Sequence, residues 1–381
     1  MNNPRRELYI GLMSGTSLDG IDSAIIEFKQ NNIKLIATYS HPIPKHLKQA
    51  IKPLFLPGSD NIDALGSADQ QLGVCFAQAV TTLLKQEGLT ASDISAVGSH
   101  GQTVRHRPPS NETLHPFTLQ IADPNIIASR TGITTVADFR RRDMALGGQA
   151  APLVPAFHQA VFHSKIYNRA VINIGGISNL TFLPAEGNAL GFDTGPGNRL
   201  LDDWIKQHKN RHYDDCGQWA SRHTSDPQLL EQLKTHPFLH RPAPKSTGRE
   251  EFNRQWLNQV LNLFSHLSPG CVQATLLAFT AETIADALKI LPGEVDEIFI
   301  CGGGALNTAL MALLEDLLAP VNVASTATLG ISPEWVEAAA FAWLARQTLA
   351  GLPGNLPAVT GAERLTVLGG IYPSYIDPPF N

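Results

Sequence analysis

The chain has 381 residues, 43 % hydrophobic and 17 % charged, with a net charge of −5 at pH 7. That length and composition suit a packed globular protein of two domains and exclude a disordered one. The acidic balance argues against a nucleic-acid binder working through bulk charge. With a polar start over 1–6 and no long apolar run, neither a leader nor a membrane span is expected, and the expected location is the cytoplasm. Cys75, Cys216, Cys271, Cys301 and the 13 histidines lack paired metal-ligand spacing, so reduced thiols and no structural metal are expected.

Apolar runs over 8–12, 24–28 and 33–39 read as the three strands of a meander. The first two flank Gly11-Leu-Met-Ser-Gly-Thr-Ser-Leu-Asp-Gly-Ile-Asp22, a loop longer than an ordinary hairpin needs. Its residues Gly15, Thr16, Ser17, Leu18, Asp19, Gly20, Ile21 and Asp22 can turn backbone N–H groups and hydroxyls toward one phosphate. A polar turn with no ligand is the plainer alternative. Leu65, Leu72, Phe76 and Val80 predict a helix over 62–85. A short strand over 94–97 then runs into the turn Gly98-Ser-His-Gly-Gln-Thr103. After a strand over 117–121, Asp123 caps and Pro124 opens a helix reaching Arg130. A strand over 134–137 follows. The basic groups Arg105-His-Arg107 and Arg140-Arg-Arg142 read as solvated or structurally paired patches.

Beyond 147–155 the layout starts again: strand 170–174, turn Gly175-Gly-Ile-Ser-Asn179, strand 180–183. This repeat of strand, glycine turn and strand suggests two α/β halves, 1–140 with 355–381 and 141–354. Gly191-Phe-Asp-Thr-Gly-Pro-Gly-Asn198 reads as a loop leading into a helix over 199–206. The His- and Pro-rich stretch 204–253 reads as an irregular, partly helical insertion. Leu277, Ala281, Ile284 and Leu288 mark one face of a helix over 272–291. A buried strand over 297–301 meets Gly302, Gly303 and Gly304, with a helix over 307–318 beyond. Ser332 and Pro333 open a last helix that ends near Leu349.

Three glycine turns, each after an apolar strand, point to a nucleotide cradle. Neither the P-loop nor the dinucleotide fingerprint is present. Asp193, in the fourth glycine-rich loop, is either a turn residue or a carboxylate that takes a proton from a hydroxyl or water during phosphoryl transfer. A magnesium ion held by phosphates and by Asp19 or Asp22 would complete such a site.

The loop Gly11–Asp22 and the runs Ser99-His-Gly-Gln-Thr-Val-Arg-His-Arg-Pro108, Val136-Ala-Asp-Phe-Arg-Arg-Arg-Asp143, Asn173-Ile-Gly-Gly-Ile-Ser-Asn-Leu180 and Gly191–Asn198 resemble the anhydro-N-acetylmuramic acid kinases. The match runs in order from Tyr9 to Leu344. It implies two duplicated actin/ribonuclease-H-like domains with a nucleotide cleft between them. The implied reaction opens the 1,6-anhydro ring of the amino sugar with water. It also phosphorylates the freed 6-oxygen from ATP, giving N-acetylmuramic acid 6-phosphate for cell-wall recycling. Asp193 is the implied base. Gly15 to Asp22 resemble the first ATP-phosphate loop, Gly175 and Gly176 the second, and Gly302 to Gly304 the adenosine-side turn.

The substrate's lactyl carboxylate calls for a guanidinium, for which Arg130 is the candidate. His100, Thr103 and Glu337 are candidates for the sugar hydroxyls and acetamido group. The sequence departs from the family's usual glycine at Ala122 and Ala150, which puts a positive φ in doubt there. A homodimer is expected. Another sugar or carboxylate kinase of the same fold, and a non-catalytic ATP-dependent regulator, stay open as alternatives.

Overall fold

The computed structural model describes residues 6–15, 18–29, 32–56, 58, 61–110, 113–243, 245–248 and 251–374. Thr16 and Ser17 of the first turn lie outside them. The chain divides into two compact units, 1–157 with 335–381 and 158–334.

Unit 1 is built on β1 (Glu7–Ser14), β2 (Gly20–Lys29), β3 (Asn32–Pro42), β4 (Ile94–Arg107), β5 (Phe117–Ile121) and β6 (Thr135–Ala137). β1, β2 and β3 form the expected antiparallel meander, while β4 runs parallel to β1 and β6 parallel to β4. The order is β3-β2-β1-β4-β6, with β5 pairing the outer part of β4. Strand alternation divides β1 between two layers. Leu8, Ile10 and Leu12 are buried in one cluster with Leu72, Phe76 and Val80 of the helix Ile62–Glu87. On the other face Gly11 and Gly98 lie against the backbone of Ala338 and Phe341, where a β-carbon would collide. The helix Val336–Leu349 thus packs on β1 and β4 at backbone contact.

Unit 2 repeats the plan with β7 (Arg169–Ile174), β8 (Ile177–Leu183), β9 (Leu190–Pro196), β10 (Glu297–Cys301) and β11 (Asn322–Ser325). The order β9-β8-β7-β10-β11 again has an antiparallel meander followed by two strands parallel to its first. The same order and directions in a five-strand core of both sheets match the duplicated actin/ribonuclease-H-like fold class expected from the sequence. The core helix Pro269–Lys289 buries Leu276, Phe279, Ala281 and Ile284 against Ile172, Ile174, Leu180 and Phe182. Among the described residues it is the one helix long and apolar enough to cross a membrane, and most of it is buried in this core. The chain then returns to unit 1, where β12 (Gly370–Tyr372) pairs with β6.

Two elements differ from expectation. β4 continues ten residues beyond Val97 because Ser99, His100 and Gln102 are buried within it, and polar letters do not announce a buried strand. The 191–198 segment is a strand, β9, up to Pro196. Unit boundaries also fall elsewhere than 140 and 354, since the helix Val336–Leu349 packs on the first sheet.

Candidate functional site

In unit 1 the β1–β2 turn is tied down from several sides. Ser14 Oγ is within hydrogen-bond distance of the Gly20 carbonyl (3.0 Å) and of Gln102 Oε1 on β4 (2.8 Å). Leu18 is buried at a φ of 62° and donates its N–H to the Gly15 carbonyl at 3.1 Å. A leucine in the left-handed region is uncommon, so the backbone is constrained at Leu18 itself. Lys48 Nζ donates to the Asp19 carbonyl at 3.1 Å, while the Asp19 side chain is exposed. Asp22 sits on β2 opposite Met13. Ile21 is fully buried in the unit 1 core. No three His, Cys, Asp or Glu side chains gather as a metal site among the described residues. Asp19 and Asp22 fit magnesium only in its usual mode, one or two carboxylates with phosphates and water supplying the rest.

A second cluster in unit 1 joins two of the sugar candidates through a residue not singled out from the sequence. Arg140 Nε donates to His100 Nε2 at 3.0 Å, and Arg140 Nη1 donates to the Ala150 carbonyl at 2.6 Å. Accepting at Nε2 leaves His100 Nδ1 as the protonated nitrogen, 2.9 Å from the Gly101 carbonyl. Burial and the facing guanidinium hold the His100 pKa well below its ordinary value. Burial brings that of Arg140 down to about 10, with Glu337 and Asp143 pulling it back up. Both ring nitrogens of His100 are thus engaged inside the protein, and its ring lies 4.7 Å from Phe341.

Glu337, in the first turn of the helix Val336–Leu349, faces the Arg140 charge. Thr103 Oγ1, farther along β4, accepts from Gln120 Nε2 at 3.1 Å. Arg130 is exposed in the last turn of the helix Pro124–Thr131, where a cation also suits the helix dipole. Arg141 pairs with Asp138 at 2.8 Å as a surface residue would.

In unit 2 the β7–β8 turn is sewn to the start of the helix Arg199–Lys209. The Gly175 carbonyl accepts from Asn198 N–H (2.8 Å), and the Gly176 carbonyl from Gly197 (3.0 Å) and Arg199 (3.2 Å). A β-carbon on Gly175 or Gly176 would meet only ordinary contacts, so the protein's own packing does not demand glycine there. Glycine at both positions leaves the backbone open to close approach. Ser178 Oγ, buried beside this turn, has no partner among the described residues. Gly302 and Gly304 instead press on Asn173 and Ile174 of β7, and Gly302 has a φ of 77°. Gly303 has more space: a β-carbon added there would stand 3.7 Å from Asn198 Nδ2.

Asp193 is 9 % exposed on β9. Opposite it the register slips, so that Ser178 faces Gly195 while Asn179 faces Asp193, leaving Thr194 as the extra residue of a bulge. Bulges re-aim side chains and recur beside active sites. The Asp193 N–H donates to the Lys245 carbonyl at 2.9 Å, and the Thr247 N–H donates to Asp193 Oδ2 at 2.8 Å. The carboxylate is thus oriented by a segment of the 204–253 insertion, a contribution that its irregular sequence does not advertise.

These two units, with matching five-strand plans and a glycine turn after the first strand of each, define the duplicated actin/ribonuclease-H-like class. A family model described as anhydro-N-acetylmuramic acid kinase matches residues 7–374. A protein of that name from Shewanella loihica is 52 % identical, covering 97 % of this chain and 99 % of its own. One from Shewanella pealeana is 50 % identical, covering 98 % of this chain and 100 % of its own. The chain belongs to the anhydro-N-acetylmuramic acid kinase family.

Proposed function

We propose that the protein opens 1,6-anhydro-N-acetylmuramic acid with water and phosphorylates its 6-oxygen from ATP, with Asp193 as the base. The observation that carries this reading is the buried Asp193 carboxylate, held on a β-bulge by the Thr247 amide. Asp193 takes a proton from a water whose oxygen bonds to the anomeric carbon. The bond from that carbon to the bridging 6-oxygen breaks, and its electron pair attacks the γ-phosphorus as ADP leaves. Positioning and charge neutralisation are the protein's main contribution to such a transfer.

The other roles follow from the same reading. Gly175 and Gly176, with Ser178 Oγ beside them, contact phosphate oxygens, as does the backbone of the first turn at Gly15 and Gly20. Gly302 to Gly304 line the adenosine side, Gly303 having the space to do so. Magnesium, held by phosphates with Asp19 and Asp22, would neutralise phosphate charge. Thr103 and Glu337 bind the sugar, and His100 acts through Arg140, because both its ring nitrogens are occupied. Arg130 serves the lactyl carboxylate. The enzyme works in the cytoplasm on an amino sugar from cell-wall recycling.

A coupled ADP-release assay over a panel of amino sugars tests the reading. Turnover confined to 1,6-anhydro-N-acetylmuramic acid is expected. Turnover of a different sugar, with none of this one, would point to another kinase of the same fold. Slow ATP turnover unaffected by any sugar would point to a regulator.

A further inference from the structure

The insertion 204–253 carries a short segment, Lys245–Gly248, whose backbone closes on β9 at the proposed base. Two hydrogen bonds join them in opposite senses: Asp193 N–H to the Lys245 carbonyl, and Thr247 N–H to Asp193 Oδ2. The segment is itself anchored by a side chain. Lys245 Nζ donates to the Leu239 carbonyl at 2.9 Å and the Phe238 carbonyl at 3.4 Å, and lies 4.9 Å from the centre of the Phe238 ring. Phe238 is fully buried and packs edge-on against the equally buried Phe252. The anchor therefore rests on the aromatic core of unit 2. Lys245 also feels the Asp193 charge, which opposes the lowering of its pKa by burial and by Arg241. Thr247 Oγ1 is buried without a partner among the described residues.

We propose that Lys245–Gly248 is a strap that sets the working orientation of the Asp193 carboxylate, with Lys245 as its anchor and Thr247 as its contact. This rests on the reading of Asp193 as the base. The hydrogen bond from the Thr247 N–H to Oδ2 distinguishes the two carboxylate oxygens and fixes rotation about the last side-chain bond. A base turned away from its proton loses rate without losing affinity, since binding and chemistry draw on different contacts. The strap's two residues are positioning residues; neither is asked to touch the reacting atoms.

The test is steady-state kinetics on the full chain with four variants and a melting curve for each. Lys245→Met removes the anchor, and Thr247→Pro removes the amide hydrogen. Each is expected to lower kcat about 10- to 100-fold, the scale of a misplaced group, with the KM values for ATP and sugar within about twofold. Lys245→Arg, which keeps charge and donors for the two carbonyls, should recover most of the lost kcat. If Thr247→Pro does not fold, the Lys245 pair decides alone. A folded Lys245→Met enzyme with wild-type kcat, or one altered only in KM, overturns the strap. Asp193→Asn separates the two claims: full activity there sinks the base itself, whereas its inactivity beside an unimpaired Lys245→Met sinks the strap alone.

Discussion

Two alanines stand where strain is stored. Ala122 has a φ of 109° and Ala150 one of 58°, a region in which a β-carbon is costly. The sequence puts this conformation in doubt at both positions, yet each backbone adopts it. Hydrogen bonds explain why: Ala122 N–H donates to Asp69 Oδ1 at 2.7 Å, and Ala150 N–H to Asp143 Oδ2 at 2.9 Å. Arg140 holds the Ala150 carbonyl besides. Replacing either alanine by glycine should stabilise the protein, by about 1 kcal/mol at Ala122 and about half that at Ala150, after the greater unfolded-state freedom of glycine is subtracted. Urea unfolding measures it, and a loss of stability in both variants would show that the path is unstrained. The residue scale is also where sequence reading is least complete. Asp193 is legible because it stands among glycines and a proline. Arg140 is not, because nothing in Arg140-Arg-Arg142 marks the first arginine as half-buried and bonded to His100 while Arg141 and Arg142 remain exposed. The partners that distinguish it, His100 and Ala150, lie at sequence distances of 40 and 10.

At the scale of elements, glycines divide by what surrounds them. Gly11 and Gly98 serve the close approach of the helix Val336–Leu349 to β1 and β4, not a ligand. Gly11→Ala or Gly98→Ala sets a methyl group against helix backbone, which cannot swing aside as a side chain would. Each should destabilise the protein by about 3 kcal/mol, the upper part of the overpacking range, measured by thermal melting. Gly175→Ala should instead leave the melting temperature nearly unchanged while raising the KM for ATP, because only ligand space is lost there. An unchanged KM would remove this turn from the nucleotide site. Strands and helices with regular apolar spacing are readable in chain order, as Ile62–Glu87 and Glu297–Cys301 show. β9 and the outer part of β4 are not, since buried polar residues and glycine turn letters there satisfy tertiary contacts. The strap Lys245–Gly248 has no periodicity at all, so only folding brings it to Asp193.

The whole molecule repeats one sheet plan twice, and the repeat is visible in the sequence as strand, glycine turn, strand. Its stability should depend on pH through histidines that are buried or half-buried in the neutral state. His106 is held down at about 4 and His158 at about 3, both chiefly by burial, and His100 lies well below its ordinary value. Below pH 6.5, the ordinary value of the imidazole, the unfolded chain takes up protons that the folded chain refuses. Stability is therefore complete above that pH and falls as pH drops toward the folded values. Each histidine contributes a slope of about 1.4 kcal/mol per pH unit in that window, so the three together approach about 4. Urea titrations at pH 7.5 and 5.5 check this, and equal stabilities would contradict it. The central claim concerns Asp193, and single-turnover phosphorylation of 1,6-anhydro-N-acetylmuramic acid tests it most directly. The wild-type chain should form the 6-phosphate. A folded Asp193→Asn chain should do so about a hundred- to ten-thousand-fold more slowly, as loss of a general base requires. Phosphorylation by Asp193→Asn at the wild-type rate would contradict the account.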